Sequence, residues 1–302
     1  MRNLINTTID HKFKGKKLKD FLRFDLDLSS RMLKNLAKHD QIFINRKIVR
    51  LNYLVKGGEK LTINLDKDET MDIKPVCMPL TIVYEDDSLI VVDKPPYLVV
   101  HPTKRHQEDT LTNGLLYYFR EKNENNIVRF ISRLDMNTSG LIMVAKNQFS
   151  HSYFARLPET EKIVKEYLGI TEGEFASMAG TIDEPINRDA EPDHRHLISP
   201  EGQRAVTHYQ VLHSSCGFSL VRFTLDTGRT HQIRIHTAHL GHPIVHDNLY
   251  GANQDPLDER QFLHAAYLKF THPMTRQVIE LQSDLPVDMK NFILAKTDWH
   301  SY

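Results

Sequence analysis

The chain has 302 residues, of which 40% are hydrophobic and 26% charged, with 39 Lys and Arg against 39 Asp and Glu. This length and apolar content suit about two globular domains and exclude an intrinsically disordered chain. The apolar runs are far shorter than the roughly 18 residues of a membrane span, and the first residues lack an apolar signal region. Cys77 and Cys216 are isolated, which fits a reducing compartment. We therefore expect a soluble, cytoplasmic protein that does not act at a membrane.

The neutral total conceals two segments of opposite charge. Residues 1–65 carry a net charge of +9, and the remaining residues carry −9. A small basic module beside a larger acidic one is typical of an electrostatic docking unit for a polyanion. The alternative is an ordinary solvated face that happens to be charged.

The basic segment predicts a helix followed by a short sheet. Ser29 is a suitable N-cap, and apolar residues after it recur at helical spacing. Arg31, Lys34 and Lys38 fall on a different face of that helix, which we expect to be exposed. The next stretch, IFINRKIV, predicts a hairpin around its Asn-Arg pair, and KLTINL predicts a further strand.

This segment, from LKDFLRF to LTINL, resembles the alpha-L (S-four-type) RNA-binding domain that occurs in a ribosomal protein and in RNA-modifying enzymes. We expect a small α+β domain over residues 13–65, followed by an acidic, proline-punctuated linker over 66–79. The resemblance implies RNA docking mainly through phosphate contacts. The docking residues that it implies are Arg31, Lys34, Lys38, Arg46 and Lys47.

Residues 80–302 alternate between strand and helix patterns. The predicted strands are LTIVYE, SLIVVDK, GLIMVAKN, IVKEYLGI, AVTHYQVL and FSLVRFTLD, and the predicted helices are TLTNGLLYYFRE and THQIRIHTAHL. This mixture predicts one α+β domain with a large, mainly antiparallel mixed sheet and flanking helices.

Several familiar chemistries have no motif here. The chain contains no GxxxxGK[ST], GxGxxG, GxSxG or HExxH. A histidine-rich stretch raises the alternative of a metal hydrolase, since imidazole is a common zinc ligand. Only Asp247 and no cysteine accompany these histidines, so we expect no metal. They are His231, His236, His239, His242 and His246.

Two distant segments indicate a carboxylate site. RLDMNTSGLIMVAK places Asp135 and its neighbour Arg133 at a polar turn between apolar segments, where burial and a cation can tune a carboxylate. Farther along, DTGRTHQIRIHTAHLGHPI places Arg229 and Arg234 around a strand-to-helix junction. Such a set suits a site for an anionic backbone, although a turn-capping aspartate and surface salt bridges would leave the same pattern.

Five segments in order resemble the RluA family of RNA pseudouridine synthases: KPPYLVVHP, RLDMNTSGLIMVAK, KEYLGITEG, TGRTHQIRIHTAHLGHPI and FLHAAYLKFTHP. The resemblance implies an isomerase that flips a uridine out of RNA, breaks its glycosidic bond and rejoins the ribose to carbon-5 without any cofactor. It favours ribosomal RNA as substrate, with transfer RNA as the alternative, and we expect a monomer. A non-catalytic RNA-binding or ribosome-assembly factor on the same fold is the competing hypothesis.

The resemblance also implies a role for individual residues. Asp135 would be the essential carboxylate, acting as nucleophile or as base, with Arg234 as its cationic partner. Tyr167 would pack against the uracil, and its hydroxyl is a candidate for proton transfer. Arg133 would fill the space left by the flipped nucleotide, and Arg229 would contact phosphate or brace the site. We therefore expect these arginines to surround Asp135.

Three positions depart from the family pattern. Ser132 stands where histidine is usual, Tyr97 where the glycine of KPxG is usual, and His246 where the glycine of PIxGD is usual. None of these changes removes a catalytic group that the resemblance implies.

Overall fold

The computed structural model describes residues 4–26, 28–65, 72–124, 126–158, 163–188, 195–251 and 260–299. No helix within these ranges is long and apolar enough to cross a membrane. The strands form a four-stranded sheet near the start of the chain, a ten-stranded sheet in the rest and a separate small hairpin.

The first sheet belongs to a small α+β unit with its own core. Its strands lie in the order β1-β4-β2-β3. Phe21 and Leu22 of its first helix are fully buried in that core. The elements are β1 (Leu4–Thr8), α1 (Leu18–Phe24), α2 (Ser30–Lys38), β2 (Ile42–Ile44), β3 (Lys47–Ile48) and β4 (Lys60–Asn64).

Helix α2 and the hairpin after it match the sequence prediction. Ser29 caps the helix by accepting a hydrogen bond from the backbone N–H of Met32 at 3.2 Å. Leu33 and Leu36 are buried. The Asn-Arg turn of the hairpin has positive φ at both residues, as a tight two-residue hairpin requires. The residues expected to dock RNA are all exposed: Arg31, Lys34, Lys38, Arg46 and Lys47.

Strand β1 extends this unit beyond the predicted boundary at residue 13. The strand pairs antiparallel with β4, from Leu4 opposite Asn64 to Thr8 opposite Lys60. Its sequence, LINTT, is short and half polar, so its pattern alone does not predict a strand. Its position is set by a partner more than fifty residues away in the chain.

The second sheet forms a mainly antiparallel α+β domain, as predicted. Its main path runs β10-β13-β14-β9-β15-β8-β6-β5, with β16 beside β15 and β7 beside β8. Within the described ranges, β8 with β15 is its one parallel pairing. The strands are β5 (Thr81–Glu85), β6 (Leu89–Lys94), β7 (Arg129–Phe130), β8 (Ser139–Ala145), β9 (Val164–Glu172), β10 (Ala179–Asp183), β13 (Val206–Ser215), β14 (Phe218–Leu225), β15 (Leu263–Thr271) and β16 (Val278–Gln282).

Helices cover both faces of this sheet. The larger core lies on the face that packs against α3 (Leu111–Glu121), α5 (Gln232–His239) and α6 (Val287–Lys296), and a smaller one lies under α4 (Gln148–Arg156). The separate hairpin consists of β11 (Ile186–Arg188) and β12 (His196–Ile198) and packs beside α5. The predicted helices and strands of this domain are therefore all present.

The expected linker is partly attached to this domain. Residues 66–71 lie outside the described ranges. The backbone N–H of Val76 donates to the carbonyl of Asn113 at 3.1 Å, and the Asn113 side chain donates to the carbonyl of Lys74 at 2.8 Å. The second half of the segment is therefore hydrogen-bonded to the first turn of α3, through the carbonyl of Lys74 and the N–H of Val76.

Gly140 permits the close approach of β8 and β15. Its φ is +107°, and a Cβ atom placed there would lie 2.3 Å from the carbonyl oxygen of Ala265. Beside it, Ser139 and His264 are linked through Oγ and Nδ1 at 2.9 Å. The loop before β8 is thereby held against the centre of the sheet.

We predict that Gly140→Ala lowers the free energy of unfolding by about 2–5 kcal/mol, from the clash together with the backbone strain. Gly217 also has positive φ but would place its Cβ in open space, so Gly217→Ala should cost only about 1 kcal/mol. Urea denaturation of both variants measures the difference. Equal losses in the two would contradict the close-approach argument.

Candidate active site

One cleft brings together the residues expected from the sequence. Asp135 lies in the loop between β7 and β8, Tyr167 on β9 and Arg234 on α5. Arg133 and Arg229 line the same cleft and have exposed side chains. The three arginines expected near Asp135 therefore line the same cleft as that residue.

Arg234 is held between two carboxylates. Its Nε and Nη2 donate to Asp247 at 2.7 and 2.8 Å, and its Nη1 donates to Oδ2 of Asp135 at 3.1 Å. The planar guanidinium suits this double contact, which a lysine could not reproduce. Asp247 therefore fixes the guanidinium, and Nη1 of the guanidinium donates to Asp135.

Burial distinguishes the two carboxylates. The side chain of Asp247 is 0% exposed and that of Arg234 8%, whereas that of Asp135 is 27% exposed. Asp247 also accepts the backbone N–H groups of Leu249 and Tyr250. Asp135 is thus the carboxylate that a substrate can reach, and Asp247 is the one that supports it.

Tyr167 forms an apolar wall of the cleft. Its residue is 7% exposed and lies opposite Ala265 of β15 in the sheet. Burial raises the pKa of the Tyr167 hydroxyl, and the charge of Asp135 raises it further. The phenol therefore keeps its proton in the resting site and presents a neutral ring to the cleft.

Two buried cations hold the loop that carries Asp135. The Lys94 ammonium donates to the carbonyls of Pro95, Leu98 and Met136 at 2.8–3.0 Å. Burial lowers the pKa of Lys94 to about 7, helped by the charge of Arg260 and opposed by that of Asp135. Of these three contacts, the one with the carbonyl of Met136 matters most for the site, because Met136 directly follows Asp135.

Arg260, which lies just before β15, supports the same loop. Its guanidinium is fully buried, pairs with Asp288 through Nε at 2.7 Å, and donates through Nη1 to the carbonyl of Asn137 at 3.1 Å. Lys94 and Arg260 thus satisfy consecutive carbonyls of the turn after Asp135. Local sequence reasoning missed both residues, because neither stands next to the aspartate in the chain.

Gln232 braces the opposite side of the cleft. Its amide donates to the carbonyl of Val206 at 2.9 Å, and its oxygen accepts the backbone N–H of Arg229 at 2.9 Å. The Arg229 side chain donates to the carbonyl of Arg204 at 3.0 Å. Arg229 is therefore held at the rim of the cleft, with the rest of its guanidinium facing outward.

Two of the three departures from the family pattern lie at positions with a left-handed backbone. Tyr97 and His246 have φ of +63° and +59°, in the left-handed region that favours glycine. Both positions therefore have a backbone conformation that glycine adopts without strain. The aspartate that ends the PIxGD pattern is Asp247, and it keeps its contact with Arg234.

The histidine-rich stretch does not converge on a point. His236 contacts Thr207 and the carbonyl of Glu184, and His242 contacts the carbonyl of Glu172. Across the described ranges, no group of three His, Cys, Asp or Glu side chains is arranged to hold a metal ion.

Comparison with known proteins assigns the chain to a family. Residues 88–239 match the family model described as RNA pseudouridylate synthase. The chain belongs to the RluA family of RNA pseudouridine synthases. The protein is accordingly an isomerase that converts uridine in RNA to pseudouridine. Membership in a family of enzymes decides against the non-catalytic RNA-binding factor.

The similarity extends over most of the chain. The RNA pseudouridine synthase YhcT of Bacillus subtilis is 37% identical over 285 residues, which cover 94% of each chain. Ribosomal large subunit pseudouridine synthase D of Haemophilus ducreyi is 35% identical and covers 91% of this chain and 89% of its own. Human RNA pseudouridylate synthase domain containing 4 is similar in structure, with a TM-score of 0.59 and 25% identity over 71% of this chain and 92% of that one.

We predict that Asp247→Asn both destabilises this pseudouridine synthase and lowers its kcat. Losing the buried negative charge leaves Arg234 insufficiently paired, at a cost of about 3–5 kcal/mol. Asp183→Asn is the control, because Asp183 forms an exposed pair with Arg204 at 3.5 Å that should contribute less than about 1 kcal/mol. Thermal unfolding and steady-state kinetics measure both effects. Wild-type stability in Asp247→Asn would contradict the supporting role of Asp247.

Proposed function

We propose that this enzyme modifies uridine in large-subunit ribosomal RNA, with Asp135 as its essential carboxylate. The substrate is supported by relatives from several bacteria that carry the name ribosomal large subunit pseudouridine synthase D, each similar over most of this chain. Transfer RNA is the alternative substrate. We also propose that the enzyme acts as a monomer.

The role of Asp135 is supported above all by its contact with Arg234. It is the partly exposed carboxylate of the cleft, and Arg234 donates to one of its oxygens at 3.1 Å. We propose that the other oxygen, Oδ1, is the one that acts on the ribose. It can attack carbon-1′ of the ribose or remove the proton from carbon-2′, and either step starts cleavage of the bond from nitrogen-1 to carbon-1′.

The remainder of the cleft suits the later steps. The detached uracil must turn before carbon-5 bonds to carbon-1′ and the carbon-5 proton leaves. The buried ring of Tyr167 offers a surface on which the base can stack while it turns. Arg133 at the rim can occupy the gap that the flipped nucleotide leaves in the RNA, and Arg229 can contact a phosphate there.

We further propose that residues 4–65 form an S-four-type RNA-docking domain. This is supported by the +9 charge of residues 1–65 and by the exposed basic residues of α2. The apolar face of α2 is buried in the core of this unit through Leu33 and Leu36. The basic face is therefore available for phosphates, which supply affinity without reading sequence.

We expect Asp135→Ala to abolish pseudouridine formation. Pseudouridines can be mapped chemically across total RNA from cells that lack the gene and are complemented with wild type, Asp135→Ala or Asp226→Asn. Asp226 is an exposed carboxylate outside the cleft and serves as the control. Sites that depend on the gene should lie in large-subunit ribosomal RNA, return with wild type and Asp226→Asn, and stay absent with Asp135→Ala.

The outcomes separate the two parts of the proposal. Gene-dependent sites in transfer RNA alone would overturn the ribosomal substrate and leave Asp135 standing. Sites restored by Asp135→Ala would overturn the catalytic assignment. A gel-shift measurement should show that Asp135→Ala still binds substrate RNA, since the docking residues are unchanged.

For the docking domain, we predict that replacing Arg31, Lys34 and Lys38 together by Gln weakens RNA binding and lowers the slope of log Kd against log salt by about 2. The control replaces Lys14, Lys16 and Lys56, exposed lysines of the same domain, for an equal change in charge. Filter binding at several salt concentrations measures the slopes. Identical slopes for the two triple variants would argue against docking through α2.

A further inference from the structure

His231 occupies a strained position beside Asp135. It is the N-cap residue of α5 and has φ of +55°. A left-handed backbone at a residue with a side chain is strained and persists where the surrounding structure enforces it, often at functional sites. Its side chain is 22% exposed, and its Nε2 lies 3.9 Å from Oδ2 of Asp135.

The Tyr250 hydroxyl is within hydrogen-bond distance of Nδ1 of His231. Nδ1 of His231 lies 3.0 Å from the Tyr250 hydroxyl, and that hydroxyl accepts the backbone N–H of His196 at 3.2 Å. We take the hydroxyl, whose oxygen already accepts from His196, as the donor to Nδ1. In that arrangement the neutral ring carries its hydrogen on Nε2.

The neutral ring then directs an N–H toward Asp135. Burial lowers the pKa of His231, in surroundings where the charges of Asp135 and Asp247 act against those of Arg234 and His196. A separation of 3.9 Å is too long for a hydrogen bond, but contacts of this kind shorten when substrate fills a site. Arg234 already donates to the same oxygen, Oδ2.

We propose that His231 is a positioning residue for the reaction. Its Nε2–H, oriented by Tyr250, holds Oδ2 of Asp135 together with Arg234, so that Oδ1 faces the ribose of the target uridine. A neutral donor fixes the carboxylate without placing a second full positive charge on it. The inference rests on the catalytic role proposed for Asp135.

The orienting contact reaches beyond the cleft. His196 lies at the start of β12, and Ile198 of that strand and Tyr250 both pack against the cluster that contains Ile235 of α5. The small hairpin β11–β12 therefore supports the hydroxyl that orients His231. A disturbance of this hairpin should act on Asp135 through Tyr250.

Single-turnover release of tritium from carbon-5-labelled RNA tests the proposal with three variants. His231→Leu removes the donor and should slow the reaction about 100-fold, as expected for a misplaced reacting group, while RNA Kd stays within about twofold. His231→Gln restores an N–H near the position of Nε2 and should regain at least about tenfold of that loss. Tyr250→Phe frees the ring to adopt either tautomer and should cost about 5- to 10-fold, the equivalent of one neutral hydrogen bond.

His239→Leu is the matched control, because His239 is an exposed histidine of the same helix and should react at the wild-type rate. A purely structural role predicts that His231→Gln is as slow as His231→Leu, or that the loss follows unfolding temperature, and either result would overturn the proposal. So would a wild-type rate in His231→Leu. Nitrogen-15 chemical shifts of the wild-type ring test the tautomer directly, and a protonated Nδ1 would refute it.

Asp135→Ala measured in parallel separates this inference from the function on which it rests. If Asp135→Ala is inactive while His231→Leu reacts normally, the inference about His231 is wrong and the catalytic assignment stands. If Asp135→Ala is itself active, the catalytic assignment fails.

Discussion

A guanidinium buried between two carboxylates determines the arrangement of the catalytic domain. Arg234 donates twice to Asp247 and once to Asp135, residues that enter the cleft from different loops. A buried charge is tolerated only when it is paired with good geometry, so α5 and both loops must meet in one arrangement. The rigidity of the guanidinium transmits that constraint to Asp135, the member of the triad that remains open to substrate.

Buried basic side chains also hold the backbone that follows Asp135. Lys94 and Arg260 donate to the carbonyls of Met136 and Asn137, which the turn leaves without strand partners. Unpaired carbonyls at this depth would each carry a desolvation penalty. The two cations remove that penalty and join the turn to β6 and to the start of β15. Contacts of this kind limit the motion of the Asp135 carboxylate, which the proposed catalytic role requires.

The two parts of the chain differ in the sign of their net charge. The net charge of zero is a cancellation between +9 in residues 1–65 and −9 in the remainder. An acidic domain repels RNA on average, so its arginines matter most where the reaction takes place. Arg133 and Arg229 stand at the rim of the cleft, and the exposed cations of α2 lie in the first domain. Affinity and chemistry can therefore rest on different surfaces.

Periodicity was sufficient to predict α2 and the main strands. Motif resemblance led to Asp135, Tyr167 and Arg234, which the structure brings into one cleft. Strand β1 was missed because LINTT carries little pattern and is placed by pairing with β4. The supporting contacts, such as that of Arg260 with the carbonyl of Asn137, became visible only in the fold. The physical reason is that periodicity and spacing report on neighbours in the chain. These contacts join residues that are far apart in sequence and meet only when the chain has folded.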